Sequence, residues 1–388
     1  MALPIRYSLR NLTVRRSAAA LTALGIAMTV AVFAGVLSLN AGFEQLYEPR
    51  GDTGLAIFMR PGATSEGESA IQREEADILL KERPEIARNA EGRPLAAAET
   101  YLAVYMEKTD GGLTNVPLRG VQPMSIELRG DKVKLVDGRW FEWGSDEVVV
   151  GRPLTQRMRG CRIGDVITLN TATFRVVGVI QSSSAEGGEI WGDVDRMMAA
   201  LQRPVFSRVV ARVVPGTDIA ALSEELQDDS RIPAQVLDEQ SYLAKQTTFT
   251  GGMLKFLAFF LSAVMGVAAV LGAINTMLAA VAARTHEIGV LLAIGYSRFS
   301  IFLAFLVESA LIGLIGGLLG LLIALPFNGH ETGLSNWNTF TEVSFAFRLT
   351  PQLALQSFIL AFLLGLIGGA LPALRAARLK PVEAFREL

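Results

Sequence analysis

The sequence predicts an α-helical membrane protein with four transmembrane helices plus a large extracytoplasmic α+β domain that carries a β-rich inserted subdomain. Three observations lead there. Of the 388 residues 51% are hydrophobic and only 19% charged, too apolar a balance for an ordinary soluble domain. Four uncharged stretches are long enough for the roughly 20 residues that a helix needs to cross hydrocarbon. Between the first two lie about 209 residues of mixed polarity, enough for a folded domain.

The uncharged stretches are Ser17 to Phe43, Phe256 to Ala283, Phe299 to Asn328 and Leu349 to Leu374, and Glu308 is the one formal charge inside them. As spans they are drawn at 17–43, 253–283, 301–325 and 351–374. Arg6, Arg10, Arg15 and Arg16 precede the first, which is too long for the apolar core of a signal peptide, so an uncleaved anchor is expected. Lys and Arg mark the cytosolic flanks of membrane helices. Segments 1–16 and 375–388 hold four each and 284–300 holds two, against one between the third and fourth spans. Both termini are therefore expected in the cytosol, with 44–252 outside and 326–350 as a short outer loop. The expected setting is a membrane crossed several times, with the large domain on its outer side.

That domain carries 24 Lys/Arg against 32 Asp/Glu. "GLAIFMRPG" reads as a strand ended by Pro61-Gly62, and "ESAIQREEADILLKERPEI" as a helix with Ile71, Ile78 and Leu79 near one face, stopped at Pro84. "AAETYLAVYMEK", "TNVPLRGV" and "KVKLVDGRWFEW" read as strands. "DEVVVGRPLTQRM" is a strand leading into a short helix, and "RIGDVITLNTATFRVVGVIQ" is two strands joined by a turn near Asn170 to Thr173. "SRVVARVVPGTDIAALSEELQ" closes with strand, turn and helix. The β-rich insertion is placed at about 123–204. Asp193 and Asp195 read as a helix start rather than a cation site, since no calcium-loop pattern surrounds them. The Ser/Gly-rich segment from Ser182 to Glu189 reads as a loop.

Several function classes recede. Cys161 is the one cysteine, and His286 and His330 the two histidines, so neither a disulfide framework, a metal centre nor a cofactor on this chain is expected. No GxxxxGK[ST] phosphate loop occurs, so any work driven by ATP is expected to be powered by a partner. No nucleic-acid partner is expected. The segment Arg284 to Ser300 stands out among the cytosolic pieces. Ile288, Leu291 and Leu292 fall at i, i+3 and i+4, an apolar ridge bordered by Arg284, His286, Glu287 and Arg298. Such a ridge predicts a docking helix for that partner. Behind it Glu308 is expected to hydrogen-bond between helices within the membrane, and Gly313 with Gly317, Gly316 with Gly320 and Gly365 with Gly369 form three GxxxG pairs suited to close helix packing.

"RTHEIGVLLAIGYSRFSIFLAFLVESALIGLIGGLLGLLIALP" resembles the signature of the FtsX/MacB-type permeases, a superfamily of ABC transporter membrane subunits. The resemblance rests on Arg284, Glu287-Ile288-Gly289, Ala293-Ile294-Gly295, Glu308 and the series Gly313, Gly316, Gly317 and Gly320. "GGALPALRAARLKPVEAFREL" is similar to that family's ending, "IRYSLRNLTVRR" to its amphipathic lead-in helix, and "EVVVGRPLTQRM", "IGDVITL" and "FRVVGVI" to its β-rich outer subdomain. The resemblance implies a permease paired with a second copy or a paralogue, surrounded by membrane lipid, and two cytosolic ATPase subunits that bind ATP and Mg. It further implies that ATP hydrolysis moves the periplasmic domain, for export or extraction of a substrate, with a periplasmic adaptor and outer-membrane exit duct in some members. Two alternatives stay open: a regulator of a periplasmic hydrolase that transports nothing, and a ligand-binding membrane receptor.

Overall fold

The computed structural model of the chain describes residues 16–47, 54–170, 172–182, 184–336 and 341–380. The expected lead-in helix, apart from Arg16, and the end of the tail at 381–388 lie outside the described residues. The helices in chain order are α1 (Arg16–Leu46), α2 (Arg73–Glu82), α3 (Pro123–Arg129), α4 (Leu154–Arg157), α5 (Val194–Ala200), α6 (Ile219–Asp228), α7 (Glu239–Ala282), α8 (Thr285–Ala293), α9 (Arg298–Ala324) and α10 (Pro351–Ala377). The strands are β1 (Leu55–Met59), β2 (Ala96–Glu107), β3 (Leu113–Val121), β4 (Val133–Gly138), β5 (Glu147–Gly151), β6 (Val166–Leu169), β7 (Ala172–Ser182), β8 (Ile190–Asp193), β9 (Arg208–Arg212), β10 (Gln235–Asp238), β11 (Glu331–Asn336) and β12 (Thr341–Ala346). The chain divides into a membrane unit, Met1–Gly42 with Met253–His330 and Ala346–Leu388, and a mixed unit, Phe43–Gly252 with Glu331–Phe345.

In the membrane unit, α1, α7, α9 and α10 are long and apolar enough to cross a bilayer. Their ends follow local chemistry. Ser297 caps α9 by accepting from the Ser300 amide, and Thr350 caps α10 by accepting from Leu353, with Pro351 at the first helical position. Gly295 ends α8 at φ +103, while the Tyr296 amide reaches back to the Leu291 carbonyl and the Gly295 amide to Leu292. That is a Schellman cap, in which only glycine takes the left-handed position without strain.

The mixed unit is organised by a ten-stranded sheet in the order β10-β1-β9-β2-β3-β8-β5-β7-β4, with β6 paired to β7. The 12-residue β2 joins its two halves. Residues 96–99 pair antiparallel with β9, and residues 100–107 pair antiparallel with β3. The β-rich half therefore begins inside β2, earlier than the expected boundary at 123, because its ladder partners β2 and β3 precede that point in sequence. One core lies on the α2, α6 side of the sheet and includes Phe58, Leu79, Phe206 and Leu226. The other fills the β-rich half with Leu118, Val148, Phe174 and Ile190.

Smaller differences have local causes. Ile71 lies before α2, in a bridge to Phe206, and the helix packs on the core through buried Ala76 and Leu79 with Ile78 and Leu80 partly buried beside them. In "KVKLVDGRWFEW" the strand ends at Gly138, and Trp140, Phe141 and Trp143 form an aromatic cluster beyond it. The turn after β6 uses Asn170 at φ +54, as the sequence suggests. Asp193 caps α5, its carboxylate accepting from the Arg196 amide at 3.0 Å. The expected outer loop at 326–350 holds paired strands, β11 and β12, that belong to the mixed unit.

Candidate functional site

The short helix α8 follows α7 directly and turns through the Schellman cap into α9. Its start is held by Arg284, which is nearly buried and sits 3.5 Å from the Glu308 carboxylate of α9. The same guanidinium lies 3.3 Å from Glu287 and over the Phe305 ring at 5.3 Å. An intramembrane carboxylate is costly without a partner, and Arg284 supplies Glu308 with a cationic one. Removing either partner would leave the other charge buried.

The expected apolar ridge faces inward. Ile288 is 1% exposed and packs with Val281, Ile301, Phe305, Ala373 and Ala376, with Leu292 partly buried against the same cluster. Gly289 is buried, and Leu291 is half-buried. Ile288 and Leu292 therefore fix α8 to the chain's own membrane helices, because the i, i+4 face that looked free in sequence is the one turned toward α9 and α10. The surface that α8 and its turn present includes His286, Glu287, Gly295, Arg298, Ile294 and Phe299, the last two each 70% exposed. Sequence periodicity finds an amphipathic face but not which partner it serves.

The glycines divide between two neighbours of α9. Gly313 and Gly317 face α10, and a Cβ at Gly313 would lie 2.6 Å from the Ala361 carbonyl oxygen. Gly316 and Gly320 face α1, where a Cβ at Gly320 would lie 2.6 Å from the Ala27 carbonyl oxygen. Gly365 meets Gly313 from the α10 side, Gly369 meets Ser309, and the Ser309 hydroxyl donates to the Gly365 carbonyl at 2.6 Å. All three GxxxG pairs thus serve packing within one chain.

The mixed unit holds a buried charge cluster that sequence patterning scarcely signals. Arg119 on β3 donates to both Glu189 oxygens, at 2.7 and 2.8 Å, and to Glu66 at 2.6 Å. Glu99 on β2 accepts from Arg129 at 2.6 and 2.9 Å, from Arg208 at 2.8 and 3.0 Å and from Arg119 at 3.1 Å. Arg208 also reaches Glu66, and Arg129 reaches Glu186. Arg119 stacks on Tyr101 and Arg129 on Trp191, whose indole N–H donates to Glu189. Burial alone would raise the Glu99 carboxyl, but Arg129, Arg208 and Arg119 hold it well below the ordinary carboxylate range. Glu186 is lowered in the same way, against burial, by Arg129 first. Carboxylates held ionised and fully hydrogen-bonded suit a structural role, since a general acid needs a raised value. The Cys161 thiol is buried and pushed up to about 12, mainly by burial, which makes it a poor nucleophile. The only sequence trace of the cluster is a set of Glu and Arg residues inside strands otherwise apolar, as in "AAAETYLAV" and "SRVVAR".

Four apolar helices, one packed by glycines against two others, and a large mixed domain set between the first two define an integral membrane protein with a built extramembrane domain. A family profile described as MacB-like periplasmic core domain matches residues 19–229, and one described as FtsX-like permease C-terminal matches residues 259–381. The chain belongs to the FtsX/MacB-type ABC permeases, inner-membrane proteins with a periplasmic domain. It is 25% identical over 412 residues to the macrolide export ATP-binding/permease protein MacB of Bdellovibrio bacteriovorus, covering 98% of this chain and 61% of that protein. It is 22% identical to an uncharacterized ABC transporter permease of Methanocaldococcus jannaschii, covering 98% of this chain and 97% of that one. The crystal structure of the periplasmic region of MacB from Actinobacillus actinomycetemcomitans overlaps 50% of this chain and 92% of its own, with a TM-score of 0.37 and 14% identity. The chain spans about three fifths of the length of the MacB proteins that it matches.

Proposed function

We propose that this permease works with a separate cytosolic ATPase, which binds ATP and Mg, and that ATP hydrolysis there drives movement of the periplasmic domain. The purpose proposed is export or extraction of a substrate from the periplasm or from the outer leaflet of the inner membrane. Both termini and α8 lie on the cytosolic side in this reading, supported by the Lys/Arg distribution. A second permease copy or paralogue completes the assembly, and an adaptor with an outer-membrane duct would carry an exported substrate onward.

The observation that carries the proposal is the construction of α8. A short helix is locked from behind by Ile288 and by the Arg284–Glu308 pair, and it offers His286, Glu287, Ile294 and Phe299 outward. A docking helix that must pass on a push needs this combination, an apolar contact with a polar rim outside and a stiff joint inside. The test is co-purification of the full chain in mild detergent. Ile294→Asp should strip the ATPase from the complex while the permease stays folded. Retention of the ATPase with undiminished coupled activity would refute docking at this surface.

A further inference from the structure

The segment between α9 and α10 was expected to be a loop, and it is instead anchored. In β12, Thr341, Glu342, Val343 and Phe345 are all buried, so this strand has no solvent face over most of its length. An isolated two-stranded hairpin is at best marginally stable in water, so the shape of this one depends on what it is docked against. Its anchor is Glu342. The carboxylate accepts from Lys108 at 2.6 Å, from the Thr114 hydroxyl at 2.6 Å and from Arg157. Arg157 also donates to the Ser344 hydroxyl. Burial opposes the charge on Glu342, yet hydrogen bonds from Lys108 and Thr114 and the charge of Arg157 hold its carboxyl below the ordinary range. Phe345 meets Phe43 edge-on with centroids 5.7 Å apart, and the Thr341 hydroxyl lies 3.4 Å from that of Tyr101.

Those partners lie on the β-rich half. Lys108 follows β2, Thr114 is on β3 and Arg157 ends α4. The stem of the hairpin is itself paired, with the Gly329 amide donating to the Phe347 carbonyl at 2.9 Å and the Phe347 amide to His330 at 3.1 Å. A slack connector would need neither the paired stem nor a buried, doubly cation-bound carboxylate.

We propose that the β11–β12 hairpin is a second mechanical attachment of the periplasmic domain to the membrane helices, with Glu342 as its positioning residue. The chain runs α9, hairpin, α10, so a shift of α9 and α10 reaches the β-rich half through Glu342, alongside whatever α1 and α7 transmit. This rests on the coupling of ATP hydrolysis to domain movement proposed above, and deepens it by naming where the pull is applied.

The test uses the full permease with its co-purified ATPase in nanodiscs. Glu342→Lys places a cation against Lys108 and Arg157 and should eject the hairpin, and Glu342→Gln keeps the shape while removing the charge. Hydrogen exchange of the β12 amides should rise by about tenfold or more in Glu342→Lys and by less in Glu342→Gln. The amides of Val148 to Val150 should keep their protection, which reports that the domain is still folded. The ATP-dependent change in distance between spin labels placed on the β-rich half and on the membrane helices should then shrink, with ATP hydrolysis retained. Raised exchange with an unchanged distance response would overturn the hairpin as an attachment, and unchanged exchange would overturn Glu342 as its anchor. A wild-type complex with no ATP-dependent distance change would remove the coupling reading itself, an outcome separable from both.

Discussion

Glu99 sits where the charge cluster is most fully shared, and replacing it by Gln gives a result that can be sized in advance. The side chain is 0% exposed and receives five hydrogen bonds from three arginines. Glu99→Gln removes the charge that Arg129, Arg208 and Arg119 share, and turns an amide N–H₂ toward groups that can only donate. Breaking a buried ion network by removing one partner costs about 3–5 kcal/mol. For a unit of this size each 1 kcal/mol lowers Tm by roughly 2–4 °C, so a fall of about 6–20 °C is expected. The assay is thermal unfolding of the full chain in detergent, followed through Trp191 and its neighbours. A control is Glu147→Gln, which breaks the Arg139–Glu147 pair at the surface, where Arg139 is 51% exposed and solvent screens the charge; a much smaller loss is expected there. The pH dependence has a definite sign. A carboxyl whose folded value is depressed contributes stability above its unfolded value, about 4.3 for Glu, and loses it as pH falls through the folded value. The wild type should therefore lose stability progressively below about pH 4, with Glu99→Gln showing a weaker acid dependence. A Glu99→Gln variant no less stable than Glu147→Gln would refute the reasoning.

Other outcomes follow from the same contacts. Gly320→Leu should push α9 from α1, costing about 1–3 kcal/mol as overpacking does, and lowering the yield of folded protein in detergent; an unchanged melting curve would count against that interface. Glu308→Gln should leave the ATPase bound but weaken its coupling to domain movement, measured as ATP hydrolysis retained with a reduced distance response; Glu308→Ala, which also removes the polar group facing Arg284, should be worse. Cys161 should resist maleimide in the folded chain at pH 8, and react fully within minutes once the chain is unfolded in sodium dodecyl sulfate; rapid labelling of the folded protein would contradict its burial.

Length, hydrophobic runs and positive flanks were enough to outline four membrane helices, because the cost of apolar and charged groups in hydrocarbon is large and local. Turn chemistry placed β5, β6, β7 and the Asp193 cap for the same reason, since Gly, Asn and Asp act within a few residues. What sequence left hidden depends on pairing at a distance. β8 in "EIWGD" and β10 in "QVLD" are four residues each and are made strands by their neighbours, not by their own pattern. Glu99 with Arg119, Arg129 and Arg208 is invisible in one dimension, because the residues come together only when β2, β3, α3 and β9 do. "TEVSFAF" does carry β-branched and aromatic residues, but a segment this short between two spans reads as an outer loop until its partners just after β2, on β3 and on α4 are in place. Ile288 shows the converse case, in which a correctly read amphipathic face was assigned to a partner although the chain's own helices cover it.

The coupling proposal is tested most directly by measuring the separation of spin labels on the membrane helices and the periplasmic domain, in the full permease with its co-purified ATPase, before and after ATP is added. A distance distribution that shifts with ATP in the wild type, and fails to shift in Ile294→Asp, is the predicted result. A distribution indifferent to ATP, in a complex that hydrolyses ATP normally, would contradict the proposal.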